Sequence, residues 1–333
     1  MKRLFRSLRS RPVAWGGGLL MLGAFLILPS VIRSNYWTSI LVYCFSFAAL
    51  GVAWNIIGGY GAQISWCHAS FVAIGAYTGY LMYLGLGVSP FISIFVAMAI
   101  SYCLATLCGY GTFRLRGSYF SIATIAFAEV VRVLLLYFKG FTGGAGGKFI
   151  TFRGETFWGL TFRKDTPFYY IMLALLIVVL FVSHRINRSK IGYYLGATKG
   201  DEDAAQSLGI PTFKIKLYAF QISAMITTVI GMFFAFFLTY IDPTSVGNLT
   251  MSIKIGIVAI VGGIGTLWGP VIGAFIVIPI IEFASILLQK TGGSQILYGL
   301  ILMIMVIFCP GGIVGLWRSL REKILPKGRK TDA

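Results

Sequence analysis

Charge is what this chain has least of. Asp, Glu, Lys and Arg make up only 11% of its 333 residues, against about 25% in ordinary soluble domains. Histidine is scarcer still: His68 and His184 are the only two, too few and too far apart for a metal site. The five cysteines, Cys44, Cys67, Cys103, Cys108 and Cys309, show no CxxC spacing, which argues against metal or redox roles; they read as small buried hydrophobes. No HExxH or GxSxG motif occurs. The nearest approach to a P-loop is Thr142 to Phe149, but it has Thr in place of the first glycine and Phe after Lys148. These absences leave no convergent catalytic set, no metal ligands and no nucleotide cradle.

What the chain has instead is apolar length. Hydrophobic residues make up 57%, and several windows of about 20 residues carry no charge, as crossing a bilayer requires. The expected class is an all-α polytopic membrane protein, read as one domain. It should have about 8–10 transmembrane or re-entrant helices, broken at two glycine-rich regions. Spans are expected at 13–32, 36–57, 66–88, 90–113, 119–138, 167–183, 217–241, 267–288 and 296–308. The 251–261 stretch is apolar but, at about 17 Å of helix, too short to cross. Residues 139–166 form the longest polar stretch between spans, with alternation around 151–162 that hints at a small hairpin. No cleavable signal is evident.

The formal net charge of +18 could point to nucleic acid, but its placement assigns it to topology and the lipid bilayer. Taking residues 1–12 as inside, 19 Lys and Arg fall in the N-terminus, the Arg114/Arg116 loop, residues 185–216 and the tail from 318 to 333; 7 fall outside. The remaining two, Arg132 and Lys254, lie in apolar segments. By the positive-inside rule both termini and 185–216 are cytoplasmic and 139–166 is outside. The membrane-spanning body is then 13–317. Glu129 and Arg132 stand i, i+3 within a span and form a candidate charge pair orienting that helix. Lys254 is expected to snorkel, and Glu282 to sit in the outer half.

Two glycine breaks give a faint repeat. Gly58-Gly59-Tyr60-Gly61 is followed by Gly75-Ala76, and Gly262-Gly263-Ile264-Gly265 by Gly273-Ala274. Such breaks accompany transport pathways, and small residues also serve close helix packing. The expected pathway residues are Asn55, Ser65, His68, Gly262, Gly263 and Gly265.

Between two long apolar segments stands KGDEDAAQSLGI, Lys199 to Ile210. Asp201, Glu202 and Asp203 suit the positive end of a helix dipole. Ala204, Ala205 and Leu208 offer a small apolar face, Gly209 a C-terminal cap, and Pro211 a stop. This predicts a cytoplasmic helix of about two turns. A chain that moves something without energy-converting chemistry of its own needs such a helix to dock on a separate motor.

Here a resemblance becomes specific. Asp203-Ala204-Ala205, three residues, then Gly209 resembles the EAA…G coupling motif of ABC importer permeases, with Asp where Glu is usual. Further matches are Asn55…Gly59-Tyr60-Gly61…Ser65…His68, Leu115 to Phe120 with Ala126 to Glu129, Thr142-Gly143-Gly144, Gly262 to Pro270, and Pro310-Gly311-Gly312. Together they resemble LivM-type permease subunits of branched-chain amino-acid ABC importers. Gly196 to Gly200 is less basic than that pattern. The resemblance implies a multi-pass subunit of the bacterial inner membrane. It also implies a second related permease, two ATPase subunits carrying ATP and Mg, and a periplasmic binding protein, with no cofactor in this chain. ATP-driven closure would then push on 201–209, with 167–183 and 217–241 carrying the movement to the pathway. Urea, amide and aromatic-acid importers use similar subunits. An ion-coupled secondary transporter is the competing class; it would account for Glu129 and the repeat but not for the capped helix.

Overall fold

The computed structural model describes residues 25–29, 34–151, 154–288 and a few positions beyond, including 312–315. Both termini, most of the expected spans 13–32 and 296–308, Cys309, Pro310 and Gly311 lie outside the described residues.

The helices are α1 (Asn35–Asn55), α2 (His68–Leu86), α3 (Pro90–Thr112), α4 (Ser118–Tyr137), α5 (Thr166–Asn187), α6 (Lys190–Gly200), α7 (Glu202–Ser207), α8 (Thr212–Leu238), α9 (Leu249–Gly263) and α10 (Gly269–Leu288). Among the described residues, seven segments are long and apolar enough to cross a membrane: Asn35–Tyr60, α2, α3, α4, α5, α8 and Pro243–Gly263. The all-α polytopic class expected from composition is the class found. The chain's one small sheet among the described residues pairs Lys148–Phe149 with Tyr240–Ile241. The hairpin hinted at 151–162 reduces to a single bridge, Thr156 with Thr161.

One expectation needs correction. The apolar stretch 251–261 is not an 11-residue fragment: α9 extends it at both ends, and a helical turn, Pro243–Val246, precedes it. Two side-chain caps do this. Asp242 accepts from the amides of Thr244 and Ser245, and Asn248 from that of Met251, so polar residues extend the helical path where hydropathy alone would end it.

α1 is the centre. It is uncharged and apolar all round, and every residue from Cys44 to Asn55 is buried, whereas α4 buries only Phe120, Thr124, Ala128 and Val131; a helix with no polar face has to be enclosed by others. α2 and α8 pack most closely. A Cβ on Gly75 would collide with the Thr228 carbonyl, and one on Gly231 would stand 2.6 Å from the Val72 Cα, so the backbones touch where side chains would hold them apart. α3 and α4 lie at the periphery and expose apolar side chains such as Phe95, Leu107, Ile122 and Val130.

The connections sort to two ends. At one, Ile150 N–H donates to Thr239 O (2.7 Å) and Ser89 Oγ to Trp158 O (2.6 Å). At the other, Ser121 Oγ donates to Ile64 O (2.8 Å) and Arg116 pairs with Asp203. Ile150 and Trp158 of the 139–166 stretch thus lie at the first end, and Arg116 and Asp203 at the second.

Candidate functional site

The site is built at the second of those ends, from three stretches far apart in sequence. The first is the loop helix. α7 starts at Asp201, whose carboxylate accepts from the amides of Asp203 (2.9 Å) and Ala204 (3.0 Å). It stops in a paired turn: Ile210 N–H donates to Ala205 O (3.1 Å) and Gly209 N–H to Gln206 O (2.9 Å). That pairing requires the left-handed backbone seen at Gly209, φ +81°. The predicted helix with an acidic start and a glycine stop is therefore present, six residues long.

Its acids are committed to partners on other elements. Arg116, from the α3–α4 loop, makes a two-pronged bond to Asp203, at 3.0 and 2.7 Å. The guanidinium holds the Asp203 carboxyl below its ordinary range, and the carboxylate raises the guanidinium in turn. Glu202 pairs at 2.7 Å with Lys216, whose side chain is only 4% exposed in the first turns of α8. Gln206 Nε2 donates to Thr212 Oγ1 (2.9 Å). Of the expected apolar face, Ala205 is buried against the chain, whereas Leu208 is 81% exposed. α7 is thus held from behind by ion pairs and presents Leu208 outward.

The second stretch is the first glycine break. α1 runs into a wider turn, Ile56–Tyr60, and then into extended chain up to His68. Trp54 Nε1 donates to Ser65 O (2.7 Å) and fixes that return path. The third is the second break. α9 ends at Gly263, Gly265 takes φ +77°, and helix resumes at Gly269.

The two breaks meet. Asn55 Nδ2 donates to Thr266 O (2.9 Å), and its Oδ1 accepts from Gly265 N–H (2.8 Å). One carboxamide thus satisfies two backbone groups left open by the second break. A Cβ on Gly59 would run into that carboxamide and come within 2.6 Å of Gly265 N. Gly312 packs on the same junction, where a Cβ would stand 2.6 Å from Gly263 Cα. Lys199, at the end of α6, donates from Nζ to Gly59 O (3.0 Å). α6 is therefore bonded directly to the first break.

Of the residues expected on the pathway, Asn55, Gly262, Gly263 and Gly265 gather at this junction. Ser65 and His68 sit behind it, fully buried. Ser65 Oγ lies 3.2 Å from Cys67 Sγ. His68 Nε2 bonds Ser223 Oγ (2.9 Å), whose hydroxyl donates to Ala53 O (2.6 Å), and its ring packs edge-on against Phe71 and Phe220. Because Ser223 gives its one proton to Ala53, Nε2 is the protonated nitrogen of His68. Glu129 and Arg132 do not join the junction. They pair with each other through both carboxylate oxygens, with Glu129 half-exposed on the outer face of α4. Lys254 lies over the Phe47 ring, 5.9 Å from its centroid, with Glu282 close enough to act on it electrostatically.

Sequence reasoning missed α6 and the roles of Arg116, Lys199 and Lys216, which had been counted only as topology signals. One clue was present: Lys216 stands at the edge of the long apolar run of α8, where a cation that becomes buried needs a partner.

Among the described residues, seven helical segments long and apolar enough to cross a membrane, two facing helix breaks, a loop helix bonded to the first break through Lys199 and the capped α7 that follows it define the permease class of membrane protein. The family described as branched-chain amino acid transport system / permease component matches residues 36–309, and the chain belongs to it. It is 30% identical over 297 residues to the high-affinity branched-chain amino acid transport system permease protein LivM of Salmonella typhimurium, covering 82% of this chain and 68% of that one. The same values hold for LivM of Escherichia coli. The L-arabinose transport system permease protein AraH of Escherichia coli is 28% identical over 196 residues, 56% of each chain. No solved structure gives a significant match.

Proposed function

We propose that this permease forms half of the import pathway for branched-chain amino acids across a bacterial inner membrane. Its partners are a second related permease, two ATPase subunits that bind ATP and Mg, and a periplasmic binding protein. The observation that carries this reading is α7: a short helix capped at both ends, braced by Arg116 and Lys216, with exposed Leu208 at its tip. Bracing of this kind suits a part that receives a push and passes it on. The force would enter at Asp201 to Gly209, cross to α8 through Glu202–Lys216, and reach the breaks through Lys199. Opening then requires the two breaks to part, which releases the Asn55 bonds to Gly265 and Thr266 and frees backbone groups for a water-filled path. Likeness to LivM favours branched-chain substrates over the sugars that AraH is named for. In this reading both termini and 185–216 face the cytoplasm, and 139–166 the periplasm, as the Lys and Arg bias favours.

The test is uptake of labelled leucine, isoleucine and valine by cells with and without this chain, with urea, an amide and an aromatic amino acid as competitors, alongside co-purification of ATPase subunits. Loss of branched-chain uptake with ATPase recovered on the permease supports the reading. Competition by urea or the amide alone would reassign the substrate, and uptake by the purified chain without any ATPase would overturn the class. An impermeant thiol reagent on intact cells should label Thr151→Cys and not Ser207→Cys; the reverse would overturn the topology.

A further inference from the structure

We propose that Lys199 is a positioning residue that locks the cytoplasmic break shut until the motor moves α6 and α7. This rests on the reading of the chain as an importer permease. The Lys199 ammonium reaches Gly59 O at 3.0 Å across 140 residues of sequence. Gly59 is the point where the first break presses on the second, since a Cβ there would enter the Asn55 carboxamide and approach Gly265 N. The same ammonium lies 3.4 Å from where a Gly265 Cβ would be. One cation therefore sits over the contact between the two breaks, held by a helix whose next residues are Asp201 and Glu202. The carbonyl it binds belongs to the wide turn Ile56–Tyr60, where the regular α-helical bonding pattern lapses and a carbonyl is available to an outside donor.

The arrangement works as a latch. With α6 seated, the ammonium and the Asn55 carboxamide hold the two breaks together. When α7 is pushed and α6 shifts, the ammonium leaves Gly59 O and only Asn55 bridges the breaks. The wide turn Ile56–Tyr60 then loses one of its ties, and the return segment from Gly61 to Cys67 that follows it opens more often, held by its bonds to Trp54, Ser121 and Thr124. The latch is carried by a side chain on one partner and backbone on the other, so charge and reach at position 199 decide it.

The experiment uses the full complex in opened membranes, where both faces are reachable. Cys67, fully buried at the end of the return segment, is the reporter in a chain whose other four cysteines are alanine. Lys199→Met should speed its reaction with a small maleimide, in the absence of nucleotide, by about tenfold, the change that loss of one charge-assisted hydrogen bond makes. Lys199→Arg should behave as wild type. Cys44, buried in the α1 core, replaces Cys67 in a parallel chain and should stay unreactive. In the same preparations Lys199→Met should hydrolyse ATP without the response to loaded binding protein. Unchanged Cys67 reactivity in Lys199→Met overturns the latch, and so does a rise at Cys44 as well, which would mean a loosened fold. If Lys199→Met fails to accumulate, Lys199→Gln replaces it and is read by the same outcomes. Because maleimide reactivity needs no ATPase, a latch that fails is distinguishable from an importer reading that fails.

Discussion

Gly209→Val isolates the coupling step. Gly209 sits at φ +81°, and an added Cβ would meet no atom within 4 Å. The cost is therefore backbone strain alone, about 1–2 kcal/mol for a side chain in left-handed geometry, and a β-branched residue lies at the unfavourable end. That shifts the capped conformation by a factor of about 5–30. α7 has six residues, far below the roughly 12–15 at which an isolated helix holds itself, so losing the cap frees its last turn while the ion pairs at Glu202 and Asp203 still hold its first. Gly196→Ala is the internal control. It lies in α6, also with nothing within 4 Å, but without a positive φ, so alanine should stabilise by about 0.4–1 kcal/mol. Reconstituted complexes would be assayed for uptake and for ATPase stimulated by the loaded binding protein. Gly209→Val should insert and assemble normally, yet lose most uptake and the stimulation; Gly196→Ala should keep both. Wild-type coupling in Gly209→Val would refute the claim that the sharp end of α7 matters and leave it as a connector.

Three further outcomes are expected. Glu129→Gln should lower the amount of folded complex, since an unpaired Arg132 among apolar groups costs roughly 2.5–3.5 kcal/mol, and the swap Glu129→Arg with Arg132→Glu should restore part of it; normal assembly with abolished uptake would move the pair to the pathway instead. Glu202→Gln should destabilise the chain toward the lower end of about 3–5 kcal/mol, because it leaves Lys216 buried and unpaired, whereas Lys216→Met should cost much less; thermal unfolding of the two detergent-solubilised variants compares them, and equal loss would refute the account. Asp203 is held below the ordinary carboxylate range by Arg116, so their bond should be intact throughout neutral and mildly acid pH and break only as pH falls through that lowered value; a carboxyl titration should show the midpoint rise in Arg116→Ala, and an unmoved midpoint would contradict the pairing.

The sequence by itself determined what depends on neighbours along the chain. Hydropathy set the class and most helix ends, and Asp201 to Gly209 announced a capped helix, because a cap is made of residues a few positions apart. The glycine breaks were legible for the same reason. What the sequence left open lies across distance. Nothing local said that Asn55 would bond Gly265 and Thr266, that Lys199 would reach Gly59, or that Lys216 would pair with Glu202; each cation looked like one more inward charge. α6 was missed because Gly192, Gly196 and Gly200 lower helix propensity, and only packing of Leu195 and Ile191 onto the bundle offsets that. Ser65 and His68 looked like polar contacts for a substrate; only the tertiary structure shows that Ser65 bonds Trp54 and Cys67 and that His68 bonds Ser223 through Nε2 while its buried Nδ1 has no partner among the described residues. The physical reason is general to this chain: in an apolar medium every open backbone group needs a partner, and which distant residue supplies it is decided only when the helices pack.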